Sequence, residues 1–210
     1  GHLWPDRDGE DVPIEAITNG VHLPTWLDAS WLQPVLDEQL GGSWIEAQDD
    51  PETWEGVDAI PADLLWEAHQ DLKTDLLTEI DSRARANWHE ERVPATNVIA
   101  FGALLDPEVL TLGFARRFTG YKRPDLILYD TERLKRLVTD SLRPLQIIFA
   151  GEAHPDDVEG KRLIQTVFRV AQDPAFAGRI AFVEDYDQEL ATYLVHGGDV
   201  WLNNPLDRKS

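Results

Sequence analysis

The sequence of 210 residues contains no cysteine and no methionine. Without cysteine, disulfides, thiolate metal sites and cysteine nucleophiles are excluded, and the composition agrees with a cytoplasmic protein. No apolar run reaches the roughly 20 residues that a membrane-spanning helix needs, so no membrane partner is expected. Because methionine is missing even at position 1, we expect the chain to be part of a longer protein.

Positive charge is scarce as well. The 19 lysine and arginine residues face 39 acidic residues, and the resulting net charge of −20 opposes binding to nucleic acid or to an anionic membrane. Against this background any local group of cations is informative. One such group consists of Arg116, Arg117, Lys122 and Arg123.

Hydrophobic residues make up 42% of the chain, which is enough for a globular core. Residues 1–95 are predicted to form a loop and helical segment that packs on a sheet domain. Its helices are predicted at 28–40 and 61–90, and the second carries apolar residues at helical spacing. Residues 43–60 are expected to be an irregular connection.

Residues 96–210 are predicted to form a partial Rossmann-like α/β domain. Short apolar runs rich in β-forming residues alternate there with amphipathic helices, a pattern typical of a parallel sheet covered by helices. The predicted strands are 110–115, 145–150, 179–183 and 199–202, and the predicted helices between them are 124–139, 157–172 and 187–196.

Ligands of open parallel sheets bind at the carboxyl ends of the strands. The cationic group directly follows the first predicted strand, and guanidinium and ammonium groups suit phosphate oxygens. The sequence therefore predicts an anionic ligand at this strand end. The alternative is a solvated helix entry whose cations pair with nearby acids; Gly120 inside the loop and the strand-end position favour a site. There is no GxxxxGK[ST] phosphate loop.

The segment 111–125 (TLGFARRFTGYKRPD) resembles the strand and basic loop of the α-glucan (glycogen, starch and maltodextrin) phosphorylases. Further matches follow in the family's order, and the helical insert resembles the bacterial branch. These matches are 17–22 with Trp26, 50–71, 146–155, 182–186 and 199–204.

The resemblance implies that the chain is an incomplete C-terminal half of a GT-B-type glycosyltransferase, preceded by a helical segment. The reaction implied is phosphorolysis of terminal α-1,4-glucosyl units to glucose 1-phosphate, with α-glucan and inorganic phosphate as partners. The resemblance is also compatible with a homo-oligomer. The implied cofactor is pyridoxal 5′-phosphate, whose phosphate relays a proton in this family.

The family's cofactor lysine is expected beyond Ser210, because Lys209 lacks the family's motif. We therefore expect this chain alone to be inactive. Two other hypotheses remain open: a phosphate- or sugar-binding module without turnover, and a non-enzymatic truncated fragment.

Site residues follow from the resemblance position by position. Arg117 and Lys122 match the catalytic residues that contact the phosphates. Arg116, together with Lys122 and Tyr186, matches the surroundings of the cofactor. For Tyr186 the alternative is an ordinary residue of the core at a strand end.

Asn19 and Tyr121 match residues that contact the glucosyl unit. The alternative for Asn19 is a turn residue, because Asn-Gly is a common turn dipeptide. The alternative for Tyr121 is packing against the edge of the sheet.

One departure from the family pattern is Glu152, which stands where the family has a lysine after Phe-Ala-Gly. It reverses the charge near the expected phosphate pocket. His22 and His154 have no neighbours at metal-ligand spacing, so no metal site is predicted.

Overall fold

The computed structural model describes residue 15 and residues 17–91 and 94–206. Within them lies a four-stranded, fully parallel sheet in the order β3-β2-β1-β4. The strands are β1 Leu110–Ala115, β2 Leu145–Ala150, β3 Ile180–Val183 and β4 Val200–Trp201. The predicted α/β class with a parallel sheet is confirmed; β1 and β2 have the predicted bounds, while β3 and β4 are shorter.

Seven helices accompany this sheet in the described part of the chain. They are α1 Leu23–Trp26, α2 Leu32–Leu40, α3 Ala62–Glu91, α4 Ala95–Ala100, α5 Thr131–Val138, α6 Val158–Ala171 and α7 Gln188–Gly197. Aspartates cap the three helices that connect the strands: Asp130, Asp157 and Asp187 accept hydrogen bonds from backbone N–H groups in the first turns of α5, α6 and α7.

Several predicted boundaries need correction. The helix predicted at 124–139 begins only at Thr131, because Asp130 leaves helical geometry to cap it; a short 3₁₀ turn at Leu126–Leu128 precedes it. The helix predicted at 28–40 begins at Leu32, since Asp28 Oδ1 instead accepts hydrogen bonds from the N–H groups of the next turn. The connection expected to be irregular contains a 3₁₀ helix at Pro51–Ala59.

The two faces of the sheet carry different helices because successive strand residues point to opposite sides. On one face, Phe114 and Phe149 pack with residues of α5 and α6. On the other face, Ile148 packs with Leu76 and Leu194, which belong to α3 and α7. The apolar stripe predicted for α3 thus packs on the sheet, while the division of the chain at residue 95 stays a prediction.

A smaller apolar cluster lies beside α3. Trp44 is its largest buried side chain, and Val35, Leu36 and Ile60 surround it. The Trp44 indole N–H donates to Asp37 Oδ1 at 2.7 Å, which satisfies its polar atom. None of the described helices is both long enough and apolar enough to span a membrane.

Candidate functional site

The loops that follow β1 and β2 run side by side at the carboxyl edge of the sheet. Arg116 N donates to Ala150 O at 3.3 Å, and Phe118 N donates to Glu152 O at 2.8 Å. The Phe118 ring is fully buried beneath them in the core. The backbone that carries the cationic group is therefore anchored to the sheet and not freely solvated.

Two glycines allow this close approach. Gly151 has φ +133°, and a Cβ there would lie 2.2 Å from Arg116 O. At Gly160, in the first turn of α6, a Cβ would lie 2.4 Å from Phe118 O. Any larger residue at either position would displace the loop after β1, so both glycines hold the site's geometry.

A cleft of about 410 Å³ opens where the loops after β1, β2 and β3 meet. Its lining consists of Arg117, Glu152, Ala153, His154, Pro155 and Tyr186. The structure thus brings together two predicted site residues, Arg117 and Tyr186, from different strand ends. Within the described residues, neither the Arg117 guanidinium nor the Glu152 carboxylate has a hydrogen bond or ion pair, although both line the same cleft.

Arg116 and Lys122 lie on the same loop but do not line this cleft. Arg116 Nη1 donates to Asn203 Oδ1, in the segment that follows β4. Lys122 is only 9% exposed, and its Nζ lies 4.8 Å from the centroid of the Tyr121 ring. In residues 17–91 and 94–206 no carboxylate lies within salt-bridge distance of Lys122, and the Tyr121 ring offers its charge a cation–π contact.

Arg123 has a different position from the other three cations. Its Nε donates to Asn204 O at 2.7 Å and its Nη2 to Pro205 O at 3.2 Å, while Asn204 Nδ2 donates back to Arg123 O at 3.1 Å. Its backbone is left-handed, with φ +47°. Arg123 therefore ties the loop after β1 to the segment after β4, and its part in anion binding stays a prediction.

Tyr186 is held by a contact that the sequence patterns missed. Arg83 of α3 donates to Asp185 O at 3.1 Å and pairs with Asp187 Oδ2 at 3.4 Å, on either side of the tyrosine. The backbone N–H of Leu190 and then the Arg83 charge lower the pKa of the Asp187 carboxyl. Burial raises the pKa of the Tyr186 phenol, and this side chain lines the cleft.

Asn19 is not among the residues that line the cleft. It is exposed and precedes α1, whose Trp26 carbonyl lies 2.9 Å from His196 Nε2 at the C-terminal end of α7. That end of α7 faces the amino edge of the sheet, opposite the cleft. In the described part of the chain no hydrogen bond or ion pair joins Asn19 to the cleft residues, and its glucosyl contact stays a prediction.

The histidines have local partners. His22 Nδ1 lies 2.7 Å from Thr25 Oγ1, and His154 Nδ1 accepts from Asp156 N at 3.2 Å. No three His, Asp or Glu side chains of the described residues are grouped to hold a metal ion. The cleft therefore offers one guanidinium, one carboxylate, one imidazole and one phenol.

The chain is thus an α/β protein whose parallel sheet carries a cationic loop and a cleft at its carboxyl edge, where ligands of such sheets bind. No family model matches the chain. The chain is 55% identical over 197 residues to a glycogen phosphorylase of Aquifex aeolicus, covering 94% of this chain and 28% of that protein.

Two other relatives agree. A glycogen phosphorylase of Mycobacterium bovis is 43% identical over 204 residues, or 97% of this chain and 23% of its own length. A maltodextrin phosphorylase of Thermococcus litoralis is 40% identical over 208 residues, or 97% of this chain and 24% of its own length. The chain belongs to the α-glucan phosphorylase family, as the sequence motifs predicted, and it spans about a quarter of the length of these relatives.

Proposed function

We propose that this chain is the phosphate-binding part of an α-glucan phosphorylase, which phosphorolyses terminal α-1,4-glucosyl units to glucose 1-phosphate. One observation carries the proposal: in a chain of net charge −20, no carboxylate of the described residues forms an ion pair with Arg117 or Lys122 after β1. Cations without such a partner at the carboxyl end of a parallel strand are available to bind an anionic ligand. The similarity to proteins named glycogen and maltodextrin phosphorylase supplies the sugar substrate.

Arg117 and Lys122 contribute to phosphate binding in different ways. Arg117 presents a planar guanidinium to the cleft, which fits two oxygens of a phosphate at once. Lys122 is nearly buried, so its charge acts through a medium of lower polarisability than water. Both therefore stabilise negative charge on a phosphate held above the end of β1, which is the main demand of phosphorolysis.

The structure fits only part of the family's cofactor, pyridoxal 5′-phosphate. Arg116 and Lys122 offer charges for its phosphate, the group that supplies a proton relay when the cofactor is bound. Every described lysine other than Lys122 is engaged elsewhere. Lys73 binds Asp199, Lys135 binds Glu132, and Lys161 donates to Pro155 O. The proposal therefore places the covalent link to the cofactor outside these lysines.

The same proposal assigns this sheet to the C-terminal half of a GT-B-type fold. In such a fold a facing domain would cover the cleft, orient the glucosyl unit and exclude water. We therefore expect the chain to bind phosphate weakly and to need the facing domain for turnover.

The test is a titration of the isotopically labelled chain with inorganic phosphate, followed by NMR. We expect the signals of residues 116–122 to shift. Arg117→Ala should weaken binding about tenfold, which is about 1.4 kcal/mol and at the lower limit for a hydrogen bond to a charged group.

Arg136→Ala is the matched control, because Arg136 is exposed in the last turn of α5, far from the carboxyl edge. Lys122→Met removes the second charge while its apolar chain still packs on the Tyr121 ring. The proposal would be refuted if the parent chain and the three variants bound inorganic phosphate with equal affinity. It would also be refuted if phosphate shifted no NMR signal of residues 116–122.

A further inference from the structure

Two opposite charges line one cleft without neutralising each other. Arg117 follows β1 and Glu152 follows β2, and in the described residues no ion pair within 4.0 Å joins them or either of them to another group. The loops that carry Arg117 and Glu152 are held together by a backbone hydrogen bond, since Phe118 N donates to Glu152 O at 2.8 Å. The conformation of Gly151 fixes the loop just before Glu152.

A carboxylate in this position is unfavourable for a bare phosphate dianion. The phosphate would gain the attraction of Arg117 but would meet the like charge of Glu152 across the same space. A ligand satisfies both groups only if it presents an oxyanion to Arg117 and a hydrogen-bond donor to Glu152. Hydroxyl groups are such donors, and a carboxylate accepts from them through either oxygen.

The space available agrees with such a ligand. A cleft of about 410 Å³ is in the range that holds small organic ligands and is much larger than one phosphate ion requires. The Tyr186 phenol adds a further group that can donate or accept. A phosphate ester of a polyol therefore matches the lining better than free phosphate.

We propose that Glu152 is a specificity-determining residue, which favours a phosphate ester of a hydroxyl-rich sugar over inorganic phosphate in the cleft beside Arg117. This inference rests on the proposed function, since it assumes that Arg117 binds the phosphate group. Glu152 accepts a hydrogen bond from a sugar hydroxyl, and that contact offsets the repulsion between the two anions. Inorganic phosphate has only its own P–OH groups as donors, within the ion that Arg117 binds, whereas the ester also carries hydroxyl groups at a distance from its phosphate.

The experiment measures the dissociation constants of inorganic phosphate and glucose 1-phosphate for the 210-residue chain by NMR titration at constant ionic strength. We expect Glu152→Gln to tighten phosphate binding by roughly tenfold, because one like charge is removed. Binding of glucose 1-phosphate should change by much less, since the weaker hydroxyl contact offsets the relief of repulsion. The ratio of the dissociation constant of inorganic phosphate to that of glucose 1-phosphate, which measures the preference for the sugar ester, therefore falls.

Glu38→Gln is the control, because it makes the same chemical change at an exposed position on α2, and it should leave both constants unchanged. Thermal unfolding of each variant checks that the exposed substitutions leave the fold intact. If Glu152→Gln changes the two dissociation constants by the same factor, or changes neither of them, the assignment of specificity is overturned.

Arg117→Ala separates this inference from the proposed function. If Arg117→Ala weakens both ligands while Glu152→Gln leaves their ratio unchanged, only the role of Glu152 is refuted. If Arg117→Ala alters neither constant, or if neither ligand binds, both the proposed function and this inference are refuted.

Discussion

Lys73 Nζ and Asp199 Oδ2 form a buried ion pair 2.7 Å apart, between α3 and the start of β4. The two side chains are 3% and 9% exposed. Asp199 also accepts from Thr111 N at 2.6 Å, and its other oxygen lies 2.7 Å from His69 Nε2. The pair joins the helical segment to the last strand at the amino edge of the sheet, opposite the cleft.

Removing one member of this pair should destabilise the chain strongly. Lys73→Met leaves the Asp199 carboxylate buried with fewer partners, and an uncompensated buried charge costs about 3–5 kcal/mol of unfolding free energy. Urea unfolding measures the loss. The control is Glu132→Gln, which breaks the exposed pair with Lys135 and should cost less than about 0.5 kcal/mol. Equal losses would show that the Lys73–Asp199 pair contributes no more than a surface contact.

The same carboxylate should make stability depend on acid pH. Burial alone would raise the pKa of Asp199, but the hydrogen bonds from Lys73, His69 and the Thr111 backbone outweigh it, and the pKa lies below its usual value. A lowered pKa in the folded state gives stability that is present above the unfolded value of about 3.9 and is lost as pH falls through the folded value.

We therefore expect the free energy of unfolding to fall as pH is lowered below about 4. The difference in unfolding free energy between the parent chain and Asp199→Asn should narrow as the pH falls below about 4. Urea unfolding at each pH measures it. A difference of the same size at pH 3 and at pH 7 would show that Asp199 does not titrate differently in the folded state.

The sequence predicted the bounds of the first two strands and the position of the loop after β1, because these rest on local patterns. An apolar run such as 145–150 between polar segments leaves few alternatives, and the residues after it must lie at the carboxyl edge. The separate role of Arg123 could not be predicted in this way. Its partners are the backbone carbonyls of Asn204 and Pro205. Hydrogen bonds from a side chain to the backbone of a distant segment produce no periodic pattern in the sequence.

Arg83 shows the same limit. Its spacing to Glu79 on α3 indicates an ordinary helical ion pair, and that pair exists. Its second contact, to the loop around Tyr186, depends on how α3 crosses the sheet. Long-range packing, such as that of Leu76 and Ile80 on the strands, sets that crossing, and no local pattern specifies it.

The assignment of Arg123 as a tie between segments can be separated from anion binding. Arg123→Ala should release residues 203–206, because it removes both bonds to the carbonyls of Asn204 and Pro205. Hydrogen exchange of the Leu206 amide, which donates to Tyr121 O at 2.9 Å, should then become faster. Arg117→Ala, the matched change in the cleft, should leave that exchange rate unaltered. Slow exchange of the Leu206 amide in Arg123→Ala would contradict the assignment.

The packing of α3 on the sheet can be tested at Leu76, which is fully buried. Leu76→Ala should lower the free energy of unfolding by about 2–5 kcal/mol, because it removes buried methyl groups and leaves a cavity. Leu142→Ala is the control, since Leu142 is 87% exposed and should lose less than about 0.5 kcal/mol. Equal and small losses at the two positions would mean that α3 does not pack on the sheet in solution.

The last prediction concerns the cofactor and turnover. We expect the 210-residue chain alone neither to bind pyridoxal 5′-phosphate covalently nor to release glucose 1-phosphate from glucan. A Schiff base needs a lysine amine that is free to reach the aldehyde. Lys73 and Lys135 are paired with carboxylates, Lys161 donates to a backbone carbonyl, and Lys122 is nearly buried.

Lys209 lies outside the described residues. It therefore has to be tested directly, together with the four described lysines. The chain is incubated with the cofactor, reduced with borohydride and digested for peptide mapping, while glucose 1-phosphate release from glucan is assayed in parallel. Scattered, substoichiometric labelling without release is expected, because exposed lysines react weakly and no facing domain orients a sugar. One lysine labelled stoichiometrically, with glucose 1-phosphate released, would show that these residues already form a complete active site.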